Sequence, residues 1–304
     1  MTIDLSNKTY IKIGGLCENF FEVRTVDELR TVLKQTSSPF IVIGNGTNLI
    51  FDSSGYNGTV IKLSSEFSFI RPISNSQLVH VGAATWIPRL VRQLSVIGLG
   101  GIEHCVGIPA TLGGLIAMNG GSQRRSISEN IYKIFTINKH GVQKEYTPNE
   151  CLFSYRDSIF KKNTEIITSA IISLDTIPPY ENRKNLLRIL SDRRKKFPRK
   201  IPNCGSVFMS SPELYDSIGP PGYIIESLGL KGFKIGGAEI SPLHANFITN
   251  KKNASSSDII NIVRHVNNKC FEKYNIKMKA EPIYITKNGA LYHLDEYETN
   301  EYEK

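Results

Sequence analysis

The sequence predicts a mixed fold of strands and helices spread over about two domains, and three observations carry that reading. The chain has 304 residues, roughly twice the size of an ordinary domain. Apolar residues recur with strand spacing in some segments and with helical spacing in others. The 24 glycines gather at the seams between such segments. Hydrophobic residues make up 40% of the chain and charged residues 21%, enough to bury a core and to rule out wholesale disorder. No apolar stretch approaches the ~20 residues needed to cross a bilayer.

Along the chain, the alternating Phe20-Phe21-Glu22-Val23 reads as a strand. Thr25 to Lys34 reads as a helix, with Asp27 and Glu28 near its start and Val26, Leu29, Val32 and Leu33 at helical spacing. The strand Phe40–Ile43 runs into Gly44-Asn45-Gly46-Thr47-Asn48. Leu49-Ile50-Phe51, a turn at 52–55 and a strand at Thr59–Leu63 follow. Strand-like runs at Leu78–Val81, Ile131–Ile137 and Glu165–Leu174 bracket an amphipathic helix, Trp86 to Val96, and the densest glycine segment, 98–121. The polar stretch 177–182 marks an expected domain boundary. Beyond it come a charged helix, Lys184 to Lys196, and a long amphipathic helix, Ser256 to Tyr274, with Ile259, Ile260, Ile262, Val263, Val266 and Phe271 on one side.

Lys and Arg number 37 against 28 Asp and Glu, a formal net charge of +9, which favours anionic partners. The basic run Arg193–Lys200 lacks interleaved aromatics beyond Phe197 and fits no nucleic-acid motif. It reads as a solvated helix end, or as a patch that steers anionic diphosphates. Five scattered cysteines form no CxxC pair, and six histidines show no ligand spacing, so no metal site is read. The opening residues lack a basic head followed by an apolar run, which makes a reducing cytoplasm the expectation.

Two glycine loops carry the chemistry. Gly44-Asn45-Gly46 follows an apolar strand, where glycine lets the backbone turn and approach a ligand. Taken alone, an ordinary turn explains it better. Gly107-Ile108-Pro109-Ala110-Thr111-Leu112-Gly113-Gly114, with Met118-Asn119-Gly120-Gly121 behind it, fixes a path that side chains would block. It suits either an extended diphosphate along exposed amides or a tight packing surface.

Six motifs then fall in one order: Gly44–Ile50, Gly107–Gly114 with Met118-Asn119, Tyr155-Arg156-Asp157-Ser158, Gly205-Ser206-Val207-Phe208, Gly236–Ser241, and His244-Ala245-Asn246-Phe247. That order resembles the UDP-N-acetylenolpyruvoylglucosamine reductase family, over about residues 8–285, in the subtype that lacks an insertion in the substrate domain. The resemblance implies an α+β protein: a two-subdomain FAD-binding fold of the vanillyl-alcohol-oxidase type (1–64 and 65–178) plus a smaller α+β substrate-binding domain (179–304). It implies non-covalent FAD and NADPH as co-substrate, with hydride passing to the enolpyruvyl ether of a UDP-sugar in peptidoglycan precursor synthesis. Neither nucleic acid nor membrane is an expected partner.

By the same resemblance, Ser206 delivers a proton to carbon, Arg156 pairs with the substrate carboxylate, and Glu281 assists at that carboxylate. Gly44, Asn45, Gly46, Thr47, Asn48, Gly107, Ile108, Pro109, Thr111, Gly113, Gly114 and Asn119 fall to the cofactor, and Tyr155, Tyr223, His244 and Asn246 to the substrate. The chain departs from the family pattern on the substrate side. It reads Glu281-Pro282-Ile283 for Glu-Val-Arg, Gln123–Ser126 for Tyr-Gly-Gly-Glu, Tyr223 for lysine, and Met209–Pro212 for a shorter polar–proline step. A flavin-dependent paralogue acting on another nucleotide-sugar is the alternative, and a non-catalytic nucleotide-binding protein a further one.

Overall fold

The computed structural model describes residues 2–36 and 39–298. The chain gathers into two compact units: a first comprising Met1–Asn19, Gly46–Gly58 and Lys196–Lys304, and a second comprising Phe20–Asn45 and Thr59–Lys195.

In the second unit, helix α1 (Val26–Gln35) starts on a side-chain cap. Thr25 Oγ1 accepts the Glu28 N–H (3.1 Å), which satisfies a donor that a helix start leaves unpaired, and the Glu28 carboxylate accepts the N–H of Arg24 just before the cap (2.7 Å). Leu29, Val32 and Leu33 face inward. The strand Phe40–Ile43 pairs in parallel with residues 59–62, which places its C-terminal end at the first glycine loop. A five-stranded antiparallel sheet runs in the order Gln143–Tyr146, Ile131–Ile137, Ile166–Ser173, Leu78–Gly82, Ile70–Pro72. Against it lie α2 (Ile87–Val96) and α3 (Leu112–Ala117), in a core that includes Val79, Val81, Leu90, Leu112, Ile116 and Ile134.

Helix α4 (Pro179–Lys196) begins five residues before the expected start at Lys184. The stretch read as a linker is therefore partly helical. Asn182 is buried and donates to the Leu99 carbonyl (3.0 Å), while Leu186 and Ile189 join the second unit's core. The two units part at 195/196 and not at 178/179, because these three inward side chains tie the helix to what precedes it.

The first unit has its own core around α7 (Ser256–Tyr274), with α5 (Pro212–Ser217) and α6 (Pro221–Ser227) before it. Ser255 and Asp258 cap α7 reciprocally, and Asn275 ends it in the left-handed conformation (φ 55°). Ile259, Ile260, Ile262, Val263 and Val266 are buried as the spacing predicts. Phe271, expected on the same side, is instead 50% exposed, and Asn267 and Cys270 complete the inner face. An antiparallel sheet runs Asn203–Ser206, Phe247–Asn250, Ala238–Ile240, Lys234–Ile235. A second sheet sets Ile283–Ile285 parallel to Leu49–Phe51, joining the chain behind the first glycine loop to the segment that carries Glu281. All five cysteines are free and buried. No described helix is long and apolar enough to cross a membrane.

Candidate active site

The glycine loops meet within the second unit. A side chain at Gly44 would run into Thr111, and Asn45 Nδ2 donates to the Pro109 carbonyl (2.9 Å). The amides of Leu112 and Gly113 bond the carbonyls of Thr85 and Ala83 (2.9 and 2.8 Å), bracing the longer loop on the end of the strand Leu78–Gly82. Ile108 turns back on Cys105 (2.9 Å). Between these walls lies a cleft of about 580 Å³ including its open mouth, lined by Ile43, Gly44, Ala83, Thr111, Gly113 and Gly114 among others, with Glu165 as its one carboxylate. Gly44, Gly113 and Gly114, with the small side chains of Ala83, Ala84 and Ala117, share the lining with larger apolar groups such as Leu63 and Phe160, a mixture that fits a dinucleotide with a flat apolar ring approaching backbone closely. A Cβ at Gly44 would press on Thr111 and one at Gly113 on Ala83 (3.1 Å), so these glycines let the two loops close on their neighbours and form the cleft's wall.

The longer loop is also tied to the arginine. Asn119, with φ 42°, donates from Nδ2 to the Ser154 carbonyl (2.8 Å) and accepts the Ser128 N–H on Oδ1 (3.2 Å). Arg156 donates to the carbonyls of Gly121 (3.1 Å) and Asn119 (3.5 Å), and its own backbone is left-handed (φ 57°). A non-glycine residue pays for such a conformation with roughly 1–3 kcal/mol, and surrounding bonds must hold it. Ser158 supplies one, donating to the Ala117 carbonyl (2.7 Å), and Lys161 another, donating to the Arg156 carbonyl (3.2 Å). Tyr155, beside it, is 55% exposed, with the Arg156 guanidinium 5.0 Å from its ring centre.

Ser206 and Glu281 come together in the first unit. The Glu281 N–H donates to the Val207 carbonyl (2.7 Å), Phe208 bridges Ala280, and the Met209 N–H donates to the Lys279 carbonyl (2.9 Å). Asn48 joins them from the glycine loop: its Nδ2 donates to the Glu281 carbonyl (3.2 Å), and its own carbonyl accepts the Ile283 N–H (3.0 Å). Gly46 is required just before it, with φ 59° and the Lys8 carbonyl 2.5 Å from where a Cβ would stand. The loop 44–48 is thus divided, Gly44 and Asn45 built into the second unit and Gly46, Thr47 and Asn48 into the first.

The residues expected at the substrate differ in what they do. Tyr223, on α6, is 58% exposed. His244 Nδ1 accepts the Asn246 N–H (3.2 Å), so its neutral ring carries the proton on Nε2. Burial lowers its pKa, with Lys231 adding to the effect. Asn246, by contrast, has both side-chain groups engaged by one residue: Oδ1 accepts the Phe208 N–H (2.8 Å) and Nδ2 donates to the Phe208 carbonyl (2.9 Å). Two further residues, one in each unit, were not read as site residues from the sequence. Asn203 bonds the backbone on both sides of it, and Arg193 lies where a side chain at Gly107 would be. The second had a signal, the basic run; the first had none.

Residues 18–139 match an FAD binding domain, and residues 197–285 match the C-terminal domain of UDP-N-acetylenolpyruvoylglucosamine reductase. UDP-N-acetylenolpyruvoylglucosamine reductase 1 of Corynebacterium glutamicum is 38% identical over 281 residues, 91% of this chain and 83% of that protein. The reductase of Prochlorococcus marinus is 34% identical, over 92% of this chain and 95% of its own length. The crystal structure of UDP-N-acetylenolpyruvylglucosamine reductase from Thermus caldophilus matches with a TM-score of 0.79 at 29% identity, over 93% of this chain and 98% of that one. The α+β class holds, with an FAD binding domain and a smaller C-terminal domain. By descent and by architecture, the chain belongs to the UDP-N-acetylenolpyruvoylglucosamine reductase family.

Proposed function

We infer that this protein is an FAD-dependent, NADPH-consuming oxidoreductase that reduces the enolpyruvyl ether of UDP-N-acetylglucosamine-enolpyruvate to UDP-N-acetylmuramate, a step of peptidoglycan precursor synthesis. The chemistry that bound FAD supplies is two-electron hydride transfer, from NADPH to the enolpyruvyl double bond. Gly44, Asn45, Gly46, Thr47 and Asn48, with Gly107–Pro109, Thr111, Gly113, Gly114 and Asn119, form the loops that hold it. Functionally, 1–64 and 65–178 carry the flavin and 179–304 the sugar nucleotide, helix α4 being the part of the last segment that packs on the flavin side. Tyr155, Tyr223 and His244 lie toward the substrate. The reaction belongs in the cytoplasm, with a UDP-sugar and NADPH as partners and neither nucleic acid nor membrane.

The chain's own task is to hold the substrate carboxylate and to supply one proton to carbon. Arg156 meets the carboxylate with a planar, two-pronged donor that an ammonium cannot imitate. Its backbone-fixed guanidinium needs little reorganisation as negative charge develops beside that carboxylate. Ser206 gives its hydroxyl proton to the carbon next to the carboxylate, and Glu281 acts beside it as a hydrogen-bonding acid. A serine is a poor acid alone, so the pairing matters.

What supports this reading most directly is the 2.7 Å bond from the Glu281 N–H to the Val207 carbonyl, which sets donor and acid on neighbouring backbone. Purified protein is expected to be yellow, to bleach with NADPH under anaerobic conditions, and to regain colour on mixing with the enolpyruvyl nucleotide. Ser206→Ala should leave bleaching intact and slow recolouring by about 10²-fold or more. Equal loss of both half-reactions removes Ser206 from the role.

A further inference from the structure

We propose that Asn246 is a positioning residue for Ser206, acting through the backbone of Phe208 and not by touching substrate or flavin. The inference rests on the reading of Ser206 as proton donor and extends it. The strand Asn203–Ser206 pairs with Phe247–Asn250 at Asn203↔Thr249 and Ser206↔Phe247, so one strand carries an extra residue between the two pairs. Ser206 therefore resumes the ladder just past a bulge, a place where the strand bends and a side chain can be re-aimed.

Three asparagines hold the chain on either side of the bulge. Asn203 Oδ1 accepts the Gly205 N–H (3.0 Å), and its Nδ2 donates to the carbonyls of Ile201 (2.8 Å) and Pro198 (3.2 Å). Gly205 takes φ 82° under that bond. Beyond Ser206, Asn246 binds Phe208 as a strand partner would, accepting its N–H and donating to its carbonyl, while the Asn246 carbonyl accepts the Val207 N–H (2.9 Å). Asn48 grips the facing segment at the Glu281 carbonyl. Both Asn203 and Asn246 are buried, so each bond is made in a medium where an unmade one is costly. Asn246 is the member that fixes the chain from Val207 to Phe208, the stretch that carries the bond to Glu281.

The experiment uses the flavin-loaded enzyme and its two half-reactions. Asn246→Asp keeps the acceptor for the Phe208 N–H and turns the donor into a second acceptor facing a carbonyl. Recolouring of the NADPH-reduced enzyme by the enolpyruvyl nucleotide should slow roughly 10- to 100-fold, the scale of an ångström-sized misplacement. Bleaching by NADPH, and the affinity for the nucleotide read from its perturbation of the flavin spectrum, should stay within about twofold. The double variant Ser206→Ala/Asn246→Asp should recolour no more slowly than Ser206→Ala, because a residue acting only through Ser206 has nothing left to act on.

If Asn246→Asp fails to fold, by melting or flavin loss, Asn203→Asp carries the same comparison. It keeps the acceptor for Gly205 and removes both donors. Recolouring at the unaltered rate, a parallel fall in both half-reactions, or additive losses in the double variant overturns the proposal while leaving Ser206 in place. If Ser206→Ala itself recolours normally, the reading of Ser206 falls, and slow recolouring of Asn246→Asp then overturns the inference by assigning Asn246 to another group.

Discussion

In the second unit, Gly44, Gly107 and Gly113 shape the loops by what they lack: a side chain at 44 would meet Thr111, one at 107 would meet Arg193, and one at 113 would press on Ala83 at 3.1 Å. In the first unit, Asn48, Asn203 and Asn246 shape the chain by what they add, since each donates from its amide to a backbone carbonyl. The two manners do different physical work: an absent side chain lets backbone close on its neighbour, whereas directed hydrogen bonds hold a stretch of chain in one path, which absence cannot do. Arg156 stands between the two manners, in the second unit yet held by bonds to Gly121 and Asn119.

The comparison breaks first at that arginine. Arg156→Lys should cut recolouring by the enolpyruvyl nucleotide roughly 10²- to 10³-fold, the loss expected when a charge-stabilising donor is removed. Stopped-flow absorbance reads it, and bleaching by NADPH should be nearly unchanged. A mild effect would mean that exclusion alone orders the second unit.

Gly46→Ala tests the hinge residue of the divided loop. The alanine would need φ 59° and would press its methyl on the Lys8 carbonyl, a destabilisation on the order of 3 kcal/mol. Thermal melting should show it, together with easier release of flavin during gel filtration.

A smaller effect is expected at His104, which departs from both manners. It is 2% exposed, and among the described residues neither ring nitrogen has a hydrogen-bond partner. Burial, with Arg125 nearby, pushes its pKa down from 6.5 to about 4. The folded protein therefore keeps it neutral where the unfolded chain takes a proton. Between pH 6.5 and 4 the unfolded state binds more protons, so stability falls as pH drops through that window, by up to about 3 kcal/mol. His104→Phe should stabilise by about 1–3 kcal/mol at neutral pH and flatten the acid limb of the melting-temperature profile. An unchanged limb would assign the acid sensitivity elsewhere.

The smallest lies in the turn before Ser126. The Arg125 N–H donates to the Ser122 carbonyl (3.1 Å), and Gln123 and Arg124 both take positive φ, 58° and 62°. That turn suits Asn-Gly, and the paired change Gln123→Asn/Arg124→Gly should raise stability by about 1 kcal/mol in chemical denaturation. Lost turnover alongside the gain would show that the two native side chains serve the sugar nucleotide.

Much of the fold was legible because strongly periodic segments leave few choices. Phe40–Ile43 and Ile131–Ile137 fall where alternation and apolar runs place them, and Ser256–Tyr274 runs from its serine and aspartate cap to the asparagine that ends it. Elsewhere local signals misled. Pro179 and the polar residues after it look like a linker, yet proline suits a helix's first turn and Asn182 turns inward. Phe271 fits the apolar stripe but lies at its margin, on the side of the exposed Arg264 and Asn268, while Asn267 and Cys270 continue the buried face.

The candidate site divides along the same line. Residue types and their order single out the glycine loops, Arg156, Ser206 and Glu281 as candidates, since glycine, guanidinium, hydroxyl and carboxyl each bring a chemistry that few substitutes share. Asparagine announces nothing: it serves cofactor, substrate or backbone equally well. Asn45, Asn48, Asn119 and Asn246 all read as ligand contacts, and each proves to bind backbone from far along the chain. The amino-acid order by itself determined which chemical groups the protein owns and which segments become strand or helix. Only the tertiary structure decided which amide meets which carbonyl, because those partners lie 35 to 233 residues apart and no local rule spans that distance.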